Sequence, residues 1–160
     1  MNFTNIILIA AATTTALQAG LFYAWSCSVM LGFARLSDKE FVSAMQKTNQ
    51  AIQNPVFFAS FFGAPIFLVV TTVLHYSQSN RFWLLLSATI IFLVGTFGVT
   101  IIGNVPLNNR LDQFDSESAS YAEISLQRVN FERRWNNLNT IRTVASVTSL
   151  ILVIIACLNA

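Results

Sequence analysis

The chain has 160 residues, 54% of them hydrophobic and 10% charged, with a net charge of +2 and a mean hydropathy of +0.60. A soluble domain is about one-quarter charged, so this composition excludes a water-dissolved monomer, and so small and divided a charge excludes nucleic acid as a partner. The lipid bilayer is the solvent it fits, and the length suits one membrane domain over residues 1–160.

Charge placement divides the chain. No Lys, Arg, Asp or Glu occurs from Met1 to Ala34, between Lys47 and Arg81, between Arg81 and Arg110, or after Arg142. A helix needs about 20 apolar residues to cross the hydrocarbon. The gaps predict four spans, Ile6–Leu31, Pro55–Tyr76, Phe82–Gly103 and Leu138–Leu158. Each is expected to be helical, because lipid offers no partner to unpaired backbone groups. The expected fold is therefore all-α, an integral membrane bundle of four transmembrane helices.

The first span carries Gln18 near mid-depth, with Trp25 and Cys27 toward its end. A cleaved signal peptide with a site near "LQAG" is the weaker reading, since no Lys or Arg precedes the apolar run and the run outlasts a signal's apolar core. The first loop predicts an amphipathic helix. Ser37 is a suitable N-cap with Glu40 three residues on, the pattern of a capping box. Phe41, Val42, Met45 and Ile52 follow at helical spacing. That helix either lies along the bundle or headgroups or covers a pocket. Asn54 and Pro55 open the second span, which ends at His75 and Tyr76. Gly95, Thr96, Gly98 and Thr100 give the third span small residues, which allow close packing within the chain or between chains.

"GNVPLNNRLDQFD" (103–115) follows the third span. Pro106 predicts a turn there, since proline removes a helical hydrogen bond, and the neighbouring Asn amides and Arg110 would serve freed carbonyls. The third loop predicts a turn at "DQFDSES". A helix through Tyr121, Ile124, Leu126, Val129 and Phe131 then runs into the fourth span. At that junction Trp135, Asn139, Arg142 and Ser146 are spaced i, i+4, i+7 and i+11, so one helical face carries all of them.

The first and third loops, with Arg142, hold eight of the nine Lys and Arg residues. The positive-inside rule makes their face cytoplasmic and puts both termini outside, in a multi-pass protein of the cell membrane. Cys27 and Cys157 then lie a membrane thickness apart, beyond the roughly 7 Å that a disulfide spans, and read as small apolar fillers. His75 is the only histidine, with no second His or Cys near it, so no metal site is expected. At a membrane interface it reads as snorkelling or hydrogen-bonded. No phosphate loop, nucleophile elbow or HExxH motif occurs, and no Asp or Glu lies in a span, which disfavours a proton-driven transporter.

Two amide-rich stretches thus meet one membrane face, and they are expected to face each other, with Gln18 and Trp25 lining a deeper wall. The product would be a polar-aromatic pocket open toward the first and third loops. The alternative is that the amides cap helices and staple the bundle while Arg142 reaches phosphates.

The segments "FYAWSCSVM", "MQKTNQAIQNP", "NVPLNNRL" and "RRWNNLNTIR", in that order over four spans, resemble the DUF1772, or anthrone oxygenase-like, family along nearly the whole chain. The resemblance implies a small four-helix membrane protein. Some relatives oxidise a polycyclic anthrone to an anthraquinone without metal or flavin, which implies no cofactor. Carried over by motif, it marks Asn104, Pro106, Asn108, Trp135, Asn139 and Arg142. His75 lies at the other end from these motifs, which leaves loop carboxylates such as Asp112 as the available bases.

Three readings follow. In the first, an oxygenase acts on an aromatic or quinone-like lipophile. Asn108 and Arg142 polarise its oxygens as the catalytic pair, and Gln18, Trp25, Asn104, Pro106, Trp135 and Asn139 form the binding site. In the second, the same pocket binds a small lipophilic molecule without turnover. In the third, the chain is a structural subunit or homo-oligomer whose polar residues hold helices together.

Overall fold

Hydrocarbon forces every crossing to satisfy its own backbone, and the chain does so with helices throughout. A computed structural model describes residues 2–77 and 79–159, with Ser79 by its backbone alone. Five helices follow one another: α1 (Phe3–Phe33), α2 (Asp38–Ala51), α3 (Pro55–Leu74), α4 (Asn80–Asp112) and α5 (Tyr121–Leu158). No strand occurs among the described residues. The expected four apolar crossings are α1, α3, α4 and α5. Gln78, in the expected second loop, lies outside the described residues.

Twenty helical residues already span about 30 Å. At 31, 33 and 38 residues, α1, α4 and α5 are longer than a crossing needs. The end of α1, the end of α4 and the start of α5 share one side with α2, here termed the loop face. The termini and the α3–α4 turn share the other, the termini face.

The caps fall where the side chains dictate. Ser37 and Glu40 form the expected box at α2, with Ser37 Oγ donating to Glu40 Oε2 at 2.6 Å. That bond holds the Glu40 carboxyl below its usual range. Ser120 and Glu123 form a second box at α5. Asn54 Oδ1 caps α3 from Phe57 N–H at 3.0 Å, with Pro55 in the first turn. Between α4 and α5, Asp115 folds the 113–120 turn by accepting from the Glu117 and Ser118 N–H groups. The α5 helix runs unbroken from loop face to terminus, as its periodicity predicts.

The expected turn at Pro106 is not there. Instead α4 continues to Asp112. Its backbone widens into π turns over Phe92–Gly98 and Thr100–Asn104, and Val105 N–H reaches back five residues to Thr100 O. Pro106 enters in the first turn of the α segment that follows. The hydrogen-bond ladder has already shifted register there, so the missing proline N–H breaks no helix. A third π turn, Trp25–Val29, lies in α1, where Met30 N–H bonds Trp25 O.

Two packed regions divide the molecule. Toward the termini face, Leu8 and Ala11 of α1, Leu68 of α3, Ala88 and Phe92 of α4 and Val153 of α5 pack together. Two glycines of α4 pack against α5: a Cβ at Gly95 would sit 2.6 Å from Ala145 Cβ, and one at Gly103 would sit 2.9 Å from Leu138 Cδ1. Hydroxyls bridge the helices, with Thr72 and Thr89 Oγ1 atoms 2.9 Å apart and Ser149 Oγ donating to Ala88 O at 2.9 Å. His75 is 1% exposed, with Nδ1 2.7 Å from Thr71 O. Of the two roles expected for it, the hydrogen-bonded one holds, and it does not snorkel. Cys27 and Cys157 are both free, as their expected separation implies, and both are exposed on the surface of the bundle.

At the loop face, Phe41, Val42 and Met45 of α2 are fully buried against Leu111, Phe131 and Trp135. The α2 helix therefore lies on the bundle. Arg128 of α5 fastens this layer: its guanidinium donates to Asp38 Oδ1 at 3.0 Å, Glu132 Oε2 at 2.9 Å and Leu36 O at 2.8 Å, and lies 4.5 Å from the Phe41 ring.

Gly95→Ala is expected to lower the thermal midpoint in detergent, by the equivalent of about 1–3 kcal/mol for overpacking. Gly20→Ala, where a Cβ meets nothing within 4 Å, is expected to leave it unchanged or raise it by up to ~1 kcal/mol of helix propensity. Equal midpoints for the two variants would contradict the close α4–α5 contact.

Candidate functional site

The polar face of α5 is buried: Trp135, Asn139 and Ser146 are 2%, 2% and 0% exposed, and Arg142 is 6% exposed. Asn139 is the junction. Its Nδ2 donates to Ser26 Oγ at 2.7 Å and to Phe22 O at 3.3 Å, both on α1. Its Oδ1 accepts from Arg142 Nε at 2.8 Å. The π turn of α1 begins just after Phe22, whose carbonyl also accepts from Ser26 Oγ at 3.2 Å.

Arg142 sits between two aromatic faces. Its guanidinium carbon lies 4.3 Å from the Phe22 ring centroid and 4.9 Å from that of Trp135. It forms no ion pair with a carboxylate among the described residues. Nor do its Nη atoms donate to a protein acceptor among them. A buried cation without a counter-charge is costly, and here ring quadrupoles and one amide oxygen offset part of that cost.

Trp135 Nε1 donates to Asn108 Oδ1 at 2.9 Å, which joins α5 to α4. Its ring lies 5.1 Å from that of Trp25. In front of these groups is a cavity of about 230 Å³. Phe22 and Trp25 form its α1 wall, Phe57 and Phe61 its α3 wall, and Thr100 and Asn108 its α4 wall. Trp135 and Arg142 complete it from α5, and Asn49, Ile52 and Gln53 cover it from α2 and the corner that follows. Two larger clefts, about 470 and 930 Å³, lie at the loop face and are lined by surface charges such as Arg110, Arg134, Lys39 and Glu117.

Of the residues expected at the site, Trp25, Asn108, Trp135 and Arg142 line the cavity. Asn139 stands behind Arg142 and orients it. Gln18 does not share the wall with Trp25; its Nε2 donates to Ser60 Oγ at 2.9 Å. Asn104 is 1% exposed and its amide meets no partner among the described residues, but it does not line the cavity. Pro106 is exposed on α4. Asp112, an example of the loop carboxylates left as available bases, accepts from Gln50 Nε2 at 2.5 Å and lies outside the lining. No carboxylate or imidazole belongs to the lining among the described residues.

Phe22, Phe57, Phe61, Asn49 and Gln53 were not expected there. Asn49 did leave a signal: it follows Val42 by seven residues and Met45 by four, a polar residue on the otherwise apolar face of α2.

A family model described as anthrone oxygenase matches residues 42–152, more than half of the chain. The matched region runs from α2 into α5 and omits α1, which supplies Phe22 and Trp25. No curated protein matches the chain, and no solved structure matches it.

Asn139→Ala is expected to strip Arg142 Nε and Ser26 of their partner, lowering stability in detergent by about 1.5–3 kcal/mol, the range for a hydrogen bond to a charged group. Ser26→Ala should cost only about 1 kcal/mol. A thermal midpoint for Asn139→Ala equal to that of the unmodified protein would show that Asn139 is not the junction.

Proposed function

The chain belongs to the anthrone oxygenase family as a multi-pass membrane protein, and on that premise we propose that its cavity takes a flat aromatic carbonyl compound and promotes its oxidation by O₂. The observation that carries this reading is Arg142: a buried guanidinium, fixed at Nε and clasped by rings, whose Nη groups have no protein acceptor among the described residues. Such a group suits an oxygen that gains negative charge. Pockets for drug-sized ligands run to about 300–1,000 Å³, so about 230 Å³ favours a small rigid ligand over a long flexible one.

In the proposed reaction an anthrone-like ring system stacks among Trp25, Trp135 and Phe61. Removal of a proton from its activated CH₂ moves charge onto the carbonyl oxygen. Arg142 and the Asn108 amide stabilise that oxyanion, which lowers the demand on the base, and water in the cavity accepts the proton. The carbanion then passes electrons to O₂. In balance, the CH₂ and O₂ give C=O and H₂O. This reading calls for no metal or flavin. The eight cationic residues of the first and third loops and α5 favour a cytoplasmic loop face in the cell membrane.

A second reading is a binder of quinone-like molecules without turnover. The lining favours it, having no carboxylate or imidazole among the described residues.

Oxygen uptake with anthrone, measured on the protein in lipid nanodiscs, separates the two. The oxygenase reading expects turnover in the unmodified protein and a loss of about 10²–10³-fold in Arg142→Gln, the range for removing one oxyanion donor. Arg142→Lys should keep part of the rate, with a thermal midpoint lowered by loss of the Nε bond to Asn139. Stoichiometric retention of anthraquinone without oxygen uptake would establish the binder instead.

A further inference from the structure

The walls of the cavity differ in what lies behind them. Toward the termini face it is closed by Phe61 stacked on Phe97 at 5.0 Å, beyond which Thr72 and Thr89 join α3 to α4. Toward water at the loop face it is covered by α2. That helix is tied to the end of α4: Gln46 Nε2 donates to Leu111 O and Phe114 O at 2.8 Å each, and Gln50 to Asp112. Behind the α1 and α5 walls lies protein, with Phe22, Trp25, Trp135 and Arg142 all buried.

The remaining side is the gap between α3 and α4. Phe58 and Phe62 on α3, and Ile101 and Val105 on α4, all line the cavity. They are also 38%, 46%, 44% and 37% exposed. Each pair is four residues apart, so each makes a stripe along one edge of the gap. Phe58 and Phe62 are three and seven residues into α3, about 5–10 Å below its start at 1.5 Å per residue. That depth lies in a crossing helix without a charged residue, so the exposed rims face lipid chains and not water.

We propose that the cavity opens sideways into the bilayer between α3 and α4, and that its ligand is a membrane-dissolved amphiphile which enters oxygen end first. An apolar rim leads inward to Asn108 and Arg142, so a molecule sliding in from the leaflet meets apolar contacts before polar ones. At its loop-face end the rim finishes in Gln53 and Asn109, both exposed and polar, so the apolar stripe grades into polar groups at headgroup level. The proposal rests on the cavity of the preceding reading but not on its chemistry.

The chain has three tryptophans. Trp83 is 61% exposed, and Trp83→Phe leaves Trp25 and Trp135, both at the cavity, as reporters. This variant is reconstituted in phosphatidylcholine vesicles with acyl chains brominated near the headgroup end, and its emission is compared with that in unbrominated vesicles and with iodide added to the water. The expected result is a loss of emission that grows with the brominated fraction and no response to iodide. Adding Ile101→Phe and Val105→Phe, which narrow the gap from exposed positions, should restore most of the emission. Quenching by iodide and not by brominated chains would overturn the proposal in favour of access from water. No quenching by either would overturn it in favour of a closed cavity. Quenching unchanged by the two phenylalanines would overturn it by placing the route elsewhere. Oxygen uptake plays no part in the readout, so quenching without turnover counts against the oxygenase reading alone.

Discussion

A guanidinium held in a crossing helix without a carboxylate sets the terms for the rest of the loop-face half. A charge at the centre of a span costs about 2.5–3.5 kcal/mol on insertion scales, and a smaller share of that applies to Arg142, four residues inside its span. Arg142 meets that cost with an amide and two aromatic rings, and each of these must itself be held. Asn139 is held by Ser26 and the Phe22 carbonyl, Trp135 by Asn108 and by the Trp25 ring, and Phe22 by its burial in α1. Three of the four crossing helices are therefore fixed around one side chain. Its neutral neighbours orient it without neutralising it, which leaves it available to an oxygen arriving from outside the protein.

The two halves of the bundle do different work. Toward the termini face, small and aliphatic residues with threonine and serine bridges bring the backbones close. Toward the loop face the packing is aromatic, and α2 with the α5 extension builds a layer above the crossing. Arg128 and the glutamines of α2 hold that layer down. A cavity is compatible with the second half because rigid rings hold its walls apart, whereas the close helix contacts of the first leave little space.

The four crossings were legible because lipid tolerates few charges, so charge-free runs mark them directly. The α2 cap was legible because Ser37 and Glu40 act over three residues. The Trp135-Asn139-Arg142-Ser146 face was legible because it lies on one uninterrupted helix. What failed involved rotation or register. Pro106 was read as a turn because a π turn leaves no mark in residue type, and only the shifted ladder shows that proline fits. Gln18 was read as a neighbour of Trp25 on the pocket wall but turns to Ser60, since position along a helix follows from count and azimuth does not. Phe57 and Phe61 belong to a helix so uniformly apolar that no face stands out, and Asn49 was a visible exception on α2 whose meaning needed α3 and α4 in place.

The widened turn at Trp25–Val29 bears on how such a chain tolerates change. A π turn closes over five residues where an α turn closes over four, so it accommodates one residue more. Deleting one residue there would restore the regular ladder and swing everything beyond it by about 100°. Phe22 would keep its place under Arg142, while Phe33 and the corner leading to α2 would turn away from theirs. The first helix is thus two registers joined at one point, one keyed to the membrane bundle and one to the layer above it. Substitutions in this segment are expected to be accepted far more readily in a lineage than changes in its length.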